Sequence, residues 1–428
     1  MRILWITNII IPAIAASINE NISNREGWLS GIFDNWVNND NYSLCVAFPI
    51  SKDKADVAIK VNNIDCYSFH EDLRYPENYD NNIQKEIENI ISKVKPDIVH
   101  IFGTEFPHAL AAAKAIKDPS KVLLGIQGIC TKIYEDYEAN IPDKVVKEVT
   151  LRDFLKKDSV LNQKAKFLKR SLNENELIKI SDNITGRTDF DKKYVCDVND
   201  ECIYYHMNET MRSSFYKDSW DLKNTIKHSI FIGQGDYPIK GMHFLLMAAG
   251  KLIDKYPDLT INIAGNSIIN TKSIKDKLKT PSYGKYLRKL IKINNLSGHL
   301  NALGSLSEEN MKQQYLNSAV FVLASYVENS PNTLAEAMLL GLPIVTSDAG
   351  GVKSMINDDE GFIYKRGDVD ALASYIDQVF TLEDKEDEGL KIKCSLTQRK
   401  AKDMFDGETN YQKLISIYDD IHKRNLCR

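Results

Sequence analysis

At 428 residues the chain is longer than one ordinary hydrophobic core accommodates, so length alone implies two or three domains. Hydrophobic residues at 43%, charged residues at 27% and a net charge of −4 describe a soluble globular protein with no reason to bind nucleic acid. The seven cysteines (Cys45, Cys66, Cys130, Cys196, Cys202, Cys394, Cys427) are scattered and form no Cys-x-x-Cys pair, which points to reduced thiols in a cytoplasmic protein.

Residues 3–16 are apolar and end in small residues, so they read either as a signal peptide or as a buried first strand. Only Arg2 supplies positive charge ahead of the run, and Asn8 and Pro12 interrupt it, so a strand over residues 3–6 is the expectation. No other run approaches the roughly twenty apolar residues of a transmembrane helix. A loop with Gly27, Trp28 and Leu29 precedes an amphipathic helix over residues 29–37, and no G-x-G-x-x-G follows the first strand, which removes the main support for a dinucleotide site. Residues 95–108 read as a strand that leaves a Pro turn and ends in polar Glu105 and His108, with His100 inside it as a buried structural histidine. Residues 122–128 form the next strand and end at Gln127 and Gly128.

The stretch that begins at Lys144 and ends at Arg170 interleaves lysine and arginine with Val149, Phe154, Leu155, Leu161, Phe167 and Leu168. It reads as a solvated helical face, or as a cationic amphipathic surface resting on anionic lipid. Arg187, Asn208, Glu209 and Arg212 lie in polar clusters around short apolar strands, and either line a cleft or form an ion-paired structural network. A polar stretch over residues 217–227 marks a hinge. Residues 229–232 open a second set of strands, followed by Gly233, Gln234, Gly235 and, five residues on, Lys240 and Gly241. Residues 259–265 and 300–306 continue that set, the latter ending at Ser305 and Leu306.

Residues 320–325 (Val-Phe-Val-Leu-Ala-Ser) are an apolar, β-rich run that suits a buried parallel strand. Glu328 then falls in the loop at its C-terminal end, where open α/β sheets bind ligands. Ser330 as N-cap and Pro331 at the first turn start a helix, and Gly341 with Pro343 ends it. The free N–H groups of Asn332 and Thr333 suit a phosphate, and Glu328 and Glu336 flank that position as acceptors for sugar or ribose hydroxyls. Further on, Asp368 reads as a helix N-cap with Asp370 in the first turn, rather than as a metal-binding Asp-x-Asp.

Glu328, Pro331, Asn332, Thr333, Leu334, Glu336, Ala337 and Met338 match the Glu-x7-Glu signature of the family 4 glycosyltransferases, with Asn329 and Ser330 in place of its usual Gly-Phe. The chain resembles that family most over residues 229–375. The resemblance implies an α/β GT-B fold, two Rossmann-like doubly wound domains facing across a cleft. Residues 1–217 would form an acceptor-side domain onto which residues 405–428 pack back, and residues 218–404 the nucleotide-sugar donor domain. It implies transfer of a sugar from a nucleotide-sugar to an acceptor hydroxyl with retention, no cofactor and no required metal.

By this resemblance Glu328 and Lys240 are catalytic. Gly27, Gln234, Gly235, Lys240, Ser305, Leu306, Glu328, Ser330, Pro331, Asn332, Thr333 and Glu336 contact the donor, while Glu105, His108, Gln127, Arg187 and Asn208 face the acceptor. The acceptor is a sugar or lipid-linked sugar in bacterial surface polysaccharide or glycolipid synthesis, and the protein is cytoplasmic or peripheral on the inner face of the membrane. Gln234 stands where the family has arginine, and Gln127 where relatives carry a histidine. These departures leave open a GT-B nucleotide-sugar epimerase and a catalytically silent nucleotide-sugar-binding protein.

Overall fold

A computed structural model describes residues 1–21, 27–36, 42–72, 74–269 and 279–427. They pack as two units, one of Met1–Thr131, Lys166–Arg212 and Phe405–Arg428, the other of Lys132–Ala165 and Ser213–Met404.

The first unit is built on an eight-stranded sheet of β1 (Arg2–Ile6), β2 (Ser43–Ile50), β3 (Ala58–Val61), β4 (Ile64–His70), β5 (Ile98–Phe102), β6 (Val122–Gly125), β7 (Asn183–Gly186) and β8 (Ile203–His206). Their order is β3-β4-β2-β1-β5-β6-β7-β8, parallel throughout except where β3 returns along β4. Central parallel strands are covered on both faces, so they read as unbroken apolar runs. Ile3, Leu4, Trp5 and Ile6 of β1 are fully buried for that reason. The apolar run 3–16 thus divides into this strand and the short helix Pro12–Ser17. The chain winds outward from β1 to β2 and β4 and then crosses back to β5, so the ends of β1 and β5 form a topological switch point. Helix Gly407–Leu426 buries Leu414, Ile417, Tyr418 and Ile421 in this unit, and the Tyr418 hydroxyl lies 2.9 Å from Trp5 Nε1 and 2.7 Å from His100 Nδ1.

The second unit holds a parallel six-stranded sheet of β9 (Ile226–Ile232), β10 (Thr260–Ala264), β11 (Leu300–Gly304), β12 (Ser318–Leu323), β13 (Ile344–Ser347) and β14 (Phe362–Tyr364), in the order β11-β10-β9-β12-β13-β14. Its switch point lies between β9 and β12. Residues 132–165, placed by the sequence in the first domain, group with this unit. Long-range polar pairs attach them. His243 Nε2 lies 2.9 Å from the Ala139 carbonyl, the Ser282 N–H donates to the buried Asp153 carboxylate at 2.9 Å, and Arg366 meets Asp136 at 2.6 Å.

Candidate functional site

Two loops converge at the switch point of the second unit. After β9 comes Gly233, whose missing side chain matters: a Cβ there would lie 2.7 Å from Thr333 Cγ2. Only glycine lets this loop approach the start of helix Asn332–Leu340 so closely. The loop then makes the 3-10 turn Pro238–Lys240 and exits through Gly241 at φ +70°, where a Cβ would overlap the Ala324 carbonyl oxygen at 1.8 Å. Lys240 is thereby held against the end of β12. Its Nζ lies 2.6 Å from Glu328 Oε1, and Ser325 Oγ donates to the same oxygen at 2.7 Å. The Lys240 side chain keeps 23% of its surface open and Glu328 10%, so the pair borders solvent while largely desolvated. The Gly351 N–H donates to the Glu328 carbonyl at 3.1 Å, which ties the Gly350-Gly351 turn to the same loop.

The helix after Glu328 starts one residue later than expected. Pro331, not Ser330, is the N-cap, and no side chain caps the helix. Pro331 is extended (φ −70°, ψ 120°), and its carbonyl accepts from the Leu334 and Ala335 N–H groups. Asn332 and Thr333 are left as the first-turn donors with no intrahelical acceptor. Ser330 Oγ turns instead toward Met355 Sδ, 3.6 Å away. Glu336 is buried to 6% exposure, with the Tyr315 hydroxyl 3.1 Å from Oε2 and 3.0 Å from the Thr333 carbonyl. Gln234 donates its carboxamide to Asp236 at 2.8 Å. Gly235 follows in the same loop. Ser305, exposed, and Leu306, half-buried, lie beyond β11 at the sheet edge, two strands from β9. Asp368 caps helix Val369–Asp384 by accepting from the Ala371 N–H at 2.9 Å, as its spacing indicates.

Sequence reasoning missed Ser325, Gly233, Tyr315 and Arg366. A polar residue ending an apolar strand was the available signal for Ser325. Nothing local marks Tyr315 as a partner of Glu336. Arg366 donates to the Tyr326 carbonyl at 2.9 Å and stacks 4.5 Å over the Tyr326 ring, bracing the loop that carries Glu328.

In the first unit Gly103, at φ +87°, closes the turn after β5. A Cβ there would meet Glu105 Oε2 at 2.8 Å, Asn8 Nδ2 at 3.1 Å and Gln127 Cγ at 3.5 Å. Glu105 and Gln127 are thus brought together at this unit's switch point with Asn8, which the sequence did not single out. Glu105 accepts from the Thr104 and Gly128 N–H groups at 3.0 and 2.8 Å. Gln127 is engaged at both ends: Arg187 Nη2 donates to its Oε1 at 3.2 Å, and its Nε2 donates to Glu209 Oε1 at 3.0 Å. Arg187 Nη1 meets Glu209 Oε2 at 2.5 Å, and burial pushes the Glu209 carboxyl up while Arg187 pulls it back. Asn208 is half-buried in the adjoining loop.

Two expectations fail here. His108 does not face an open site: it is fully buried in helix Pro107–Ala115, with Nδ1 2.7 Å from Glu71 Oε2. Its neighbours on the apolar helix face turn it into the core, where Glu71 pairs with Nδ1 and the buried Nε2 has no hydrogen-bond partner among the described residues. Gly27 is not in a loop but is the first residue of helix Gly27–Trp36; Val37, the expected helix end, lies outside the described residues. His100 is buried, and desolvation lowers it to about 3, so it stays neutral.

Residues 214–391 match the family model described as glycosyl transferases group 1. This segment is similar to the group 1 glycosyl transferases. The chain is 30% identical over 148 residues to a phosphatidyl-myo-inositol mannosyltransferase of Mycolicibacterium smegmatis, which covers 34% of each chain. It is 28% identical over 113 residues to the capsular polysaccharide biosynthesis glycosyltransferase CapM of Staphylococcus aureus, 26% of this chain and 28% of that protein. The chain therefore matches about a third of the length of these curated relatives. Among solved structures it is similar to a sucrose-phosphate synthase from Thermosynechococcus elongatus, with a TM-score of 0.68 at 11% identity over 99% of this chain and all of that one. It is also similar to Anabaena HepE in complex with UDP, with a TM-score of 0.65 at 14% identity over 98% and 100%. These likenesses concern the fold, which is of the GT-B class, with two Rossmann-like units built on parallel sheets. Within residues 214–391 lie Lys240, Glu328, the Asn332–Leu340 helix and Glu336.

Proposed function

We propose that the protein is a retaining, hexosyl-type glycosyltransferase that moves a sugar from a UDP- or GDP-sugar to an acceptor hydroxyl without a required metal. The observation that carries this reading is the Lys240–Glu328 pair set at a switch point beside a helix start whose Asn332 and Thr333 donors lack intrahelical acceptors. A diphosphate placed there would draw Lys240 from Glu328 and take the open amides, because a helix N-terminus favours an anion. Electrostatic stabilisation of the leaving diphosphate is then worth several kcal/mol of barrier. Glu328, released from Lys240 but still bonded to Ser325, would face the donor sugar and support its oxocarbenium-like transition state. Glu336 would hold the ribose hydroxyls.

The leaving phosphate oxygen would accept the acceptor's proton, since Gln127 cannot transfer one. Glu105, Gln127, Arg187 and Asn208 would belong to the acceptor side, with Arg187 and Glu209 orienting Gln127. That Anabaena HepE was solved with UDP and with UDP-glucose supports the nucleotide class. The likeness to CapM, a capsular polysaccharide biosynthesis glycosyltransferase, supports a surface-polysaccharide product.

Among the described residues no helix is long and apolar enough to cross a membrane. Leu151, Phe154 and Leu155 are exposed at 60, 72 and 71% on one short helix, and Lys144, Lys147, Lys156 and Lys157 lie exposed in the same segment. We infer peripheral docking on anionic lipid, which brings a lipid-linked acceptor within reach.

A thermal-shift screen against UDP, GDP, ADP and their sugar conjugates tests the donor site, because a ligand of the native state raises Tm with ln(1 + [L]/Kd). The expected result is a shift with one nucleotide class that disappears in Glu336→Ala. Transfer of labelled sugar to an acceptor separates a transferase from an epimerase, and nucleotide binding without turnover would leave the silent binding protein.

A further inference from the structure

The second unit contains a cavity of about 580 Å³ that none of Glu328, Ser330, Asn332, Thr333 or Glu336 lines. Its walls come from the attached segment 132–165 and from the loops after β9 and β10. Three features give it a chemical character. Lys156 and Lys279 line it, are exposed, and have no ion-pair partner among the described residues; Arg152, also in the wall, is neutralised by Asp158 at 2.6 Å. Ser282 begins the 12-residue helix Ser282–Ile293, and its N–H is taken by the buried Asp153 carboxylate at 2.9 Å. It is 1% exposed, and its Oγ has no hydrogen-bond partner among the described residues although it borders this space. A buried hydroxyl left unpaired is unfavourable, so such an atom marks a place where a polar group from outside is expected. Finally, Tyr137 and Tyr283, buried to 2 and 3% exposure, back the wall, and the Tyr283 hydroxyl lies 3.0 Å from His243 Nδ1.

We propose that this cavity is a binding site for a phosphorylated sugar. Lys156, Lys279 and Ser282 Oγ take the phosphate, since two cations and a hydroxyl donor suit one anion. Asp236, which lines the wall, accepts the sugar hydroxyls. The volume falls within the range of small-ligand pockets. The phosphate ligands Lys156, Lys279 and Ser282 are not among the residues assigned to the donor, while Asp236 is the partner of Gln234.

Isothermal titration of the full chain with glucose 1-phosphate, glucose and inorganic phosphate tests it. Glucose 1-phosphate is expected to bind more tightly than either fragment. The double variant Lys156→Ala/Lys279→Ala is expected to weaken binding by roughly tenfold or more, as loss of charged hydrogen bonds does. Both lysines are exposed, so far-UV circular dichroism should be unchanged. Ser282→Ala should weaken binding by a smaller factor, and Glu336→Ala should leave it unaltered. No saturable binding of glucose 1-phosphate, equal affinity for inorganic phosphate, indifference to the double variant, or loss in Glu336→Ala would each overturn the proposal; the last would assign the signal to the donor site.

Discussion

Glu328 meets two donors at one oxygen, and they differ in kind. Ser325 fixes the carboxylate in place, while Lys240 neutralises it. Removing either charge should therefore act on the reaction more than on the fold. Lys240→Ala and Glu328→Ala are each expected to lower kcat by roughly 10²–10³, the size seen when one electrostatic contact to a transition state is lost. Their melting temperatures should stay close to the parent's, because both side chains border solvent and neither fills the core. A kcat unchanged in either variant would remove that residue from the chemistry. Arg187 is the contrasting case. It and Glu209 are 7 and 4% exposed, so Arg187→Ala strands a buried carboxylate. Loss of one partner from a buried pair costs about 3–5 kcal/mol, and urea unfolding should register a drop of that order. An Arg187→Ala protein of full stability would show the network to be dispensable for folding.

Strand and helix positions were largely legible, and their ends were not. β12 and the helix after it follow from an apolar β-branched run and a Pro-to-Gly interval. Which residue caps that helix depends on whether Pro331 is helical or extended, and its neighbours alone do not decide that. His108 shows the same limit: its place beside polar residues suggested an open edge, but Glu71, 37 positions earlier, draws it inside. Gly241 connects an element to the site. Its left-handed φ and the 1.8 Å approach to the Ala324 carbonyl leave no room for a methyl group, so Gly241→Ala must shift the Pro238–Lys240 turn. The expected outcome is a destabilisation of about 1 kcal/mol or more together with loss of any nucleotide-induced Tm shift. Retention of that shift would mean that Lys240 does not need this turn. The helix Leu151–Lys156 makes an independent claim. A capping box between Thr150 and Asp153 holds it rigidly, so its exposed apolar side chains are presented by a fixed scaffold. Phe154→Glu/Leu155→Glu should abolish co-sedimentation with phosphatidylglycerol vesicles; binding equal to the parent's would locate any lipid contact elsewhere.

At the scale of the molecule, buried titratable groups of opposite sense set how stability depends on pH. Desolvation lowers His100 in the first unit to about 3 and His243 in the second to about 4, from an ordinary 6.5. As pH falls below about 6.5 the unfolded chain takes up a proton at each position and the folded chain does not, so stability declines toward acid. Glu174 behaves in the opposite sense. Burial raises its carboxyl from 4.5 to about 8, with the Thr104 hydroxyl 2.6 Å away partly offsetting the rise. The folded protein keeps this proton while the unfolded chain releases it above 4.5, so the contribution is full below 4.5 and is lost as pH rises to about 8. Between 4.5 and 6.5 the histidines and Glu174 act against each other, and above 6.5 Glu174 acts in the same sense as Glu209 and Glu383, whose carboxyls burial also raises. Each unopposed proton changes stability by up to about 1.4 kcal/mol per pH unit. Unfolding free energies should fall as pH rises from about 6.5 to 8. Glu174→Gln, which keeps the shape and removes the proton, should flatten the alkaline limb, and His100→Gln/His243→Gln should flatten the acid limb whatever it does to stability at neutral pH. A parent curve that rises steadily through pH 8, or variants whose curves run parallel to it, would show that other groups govern the dependence.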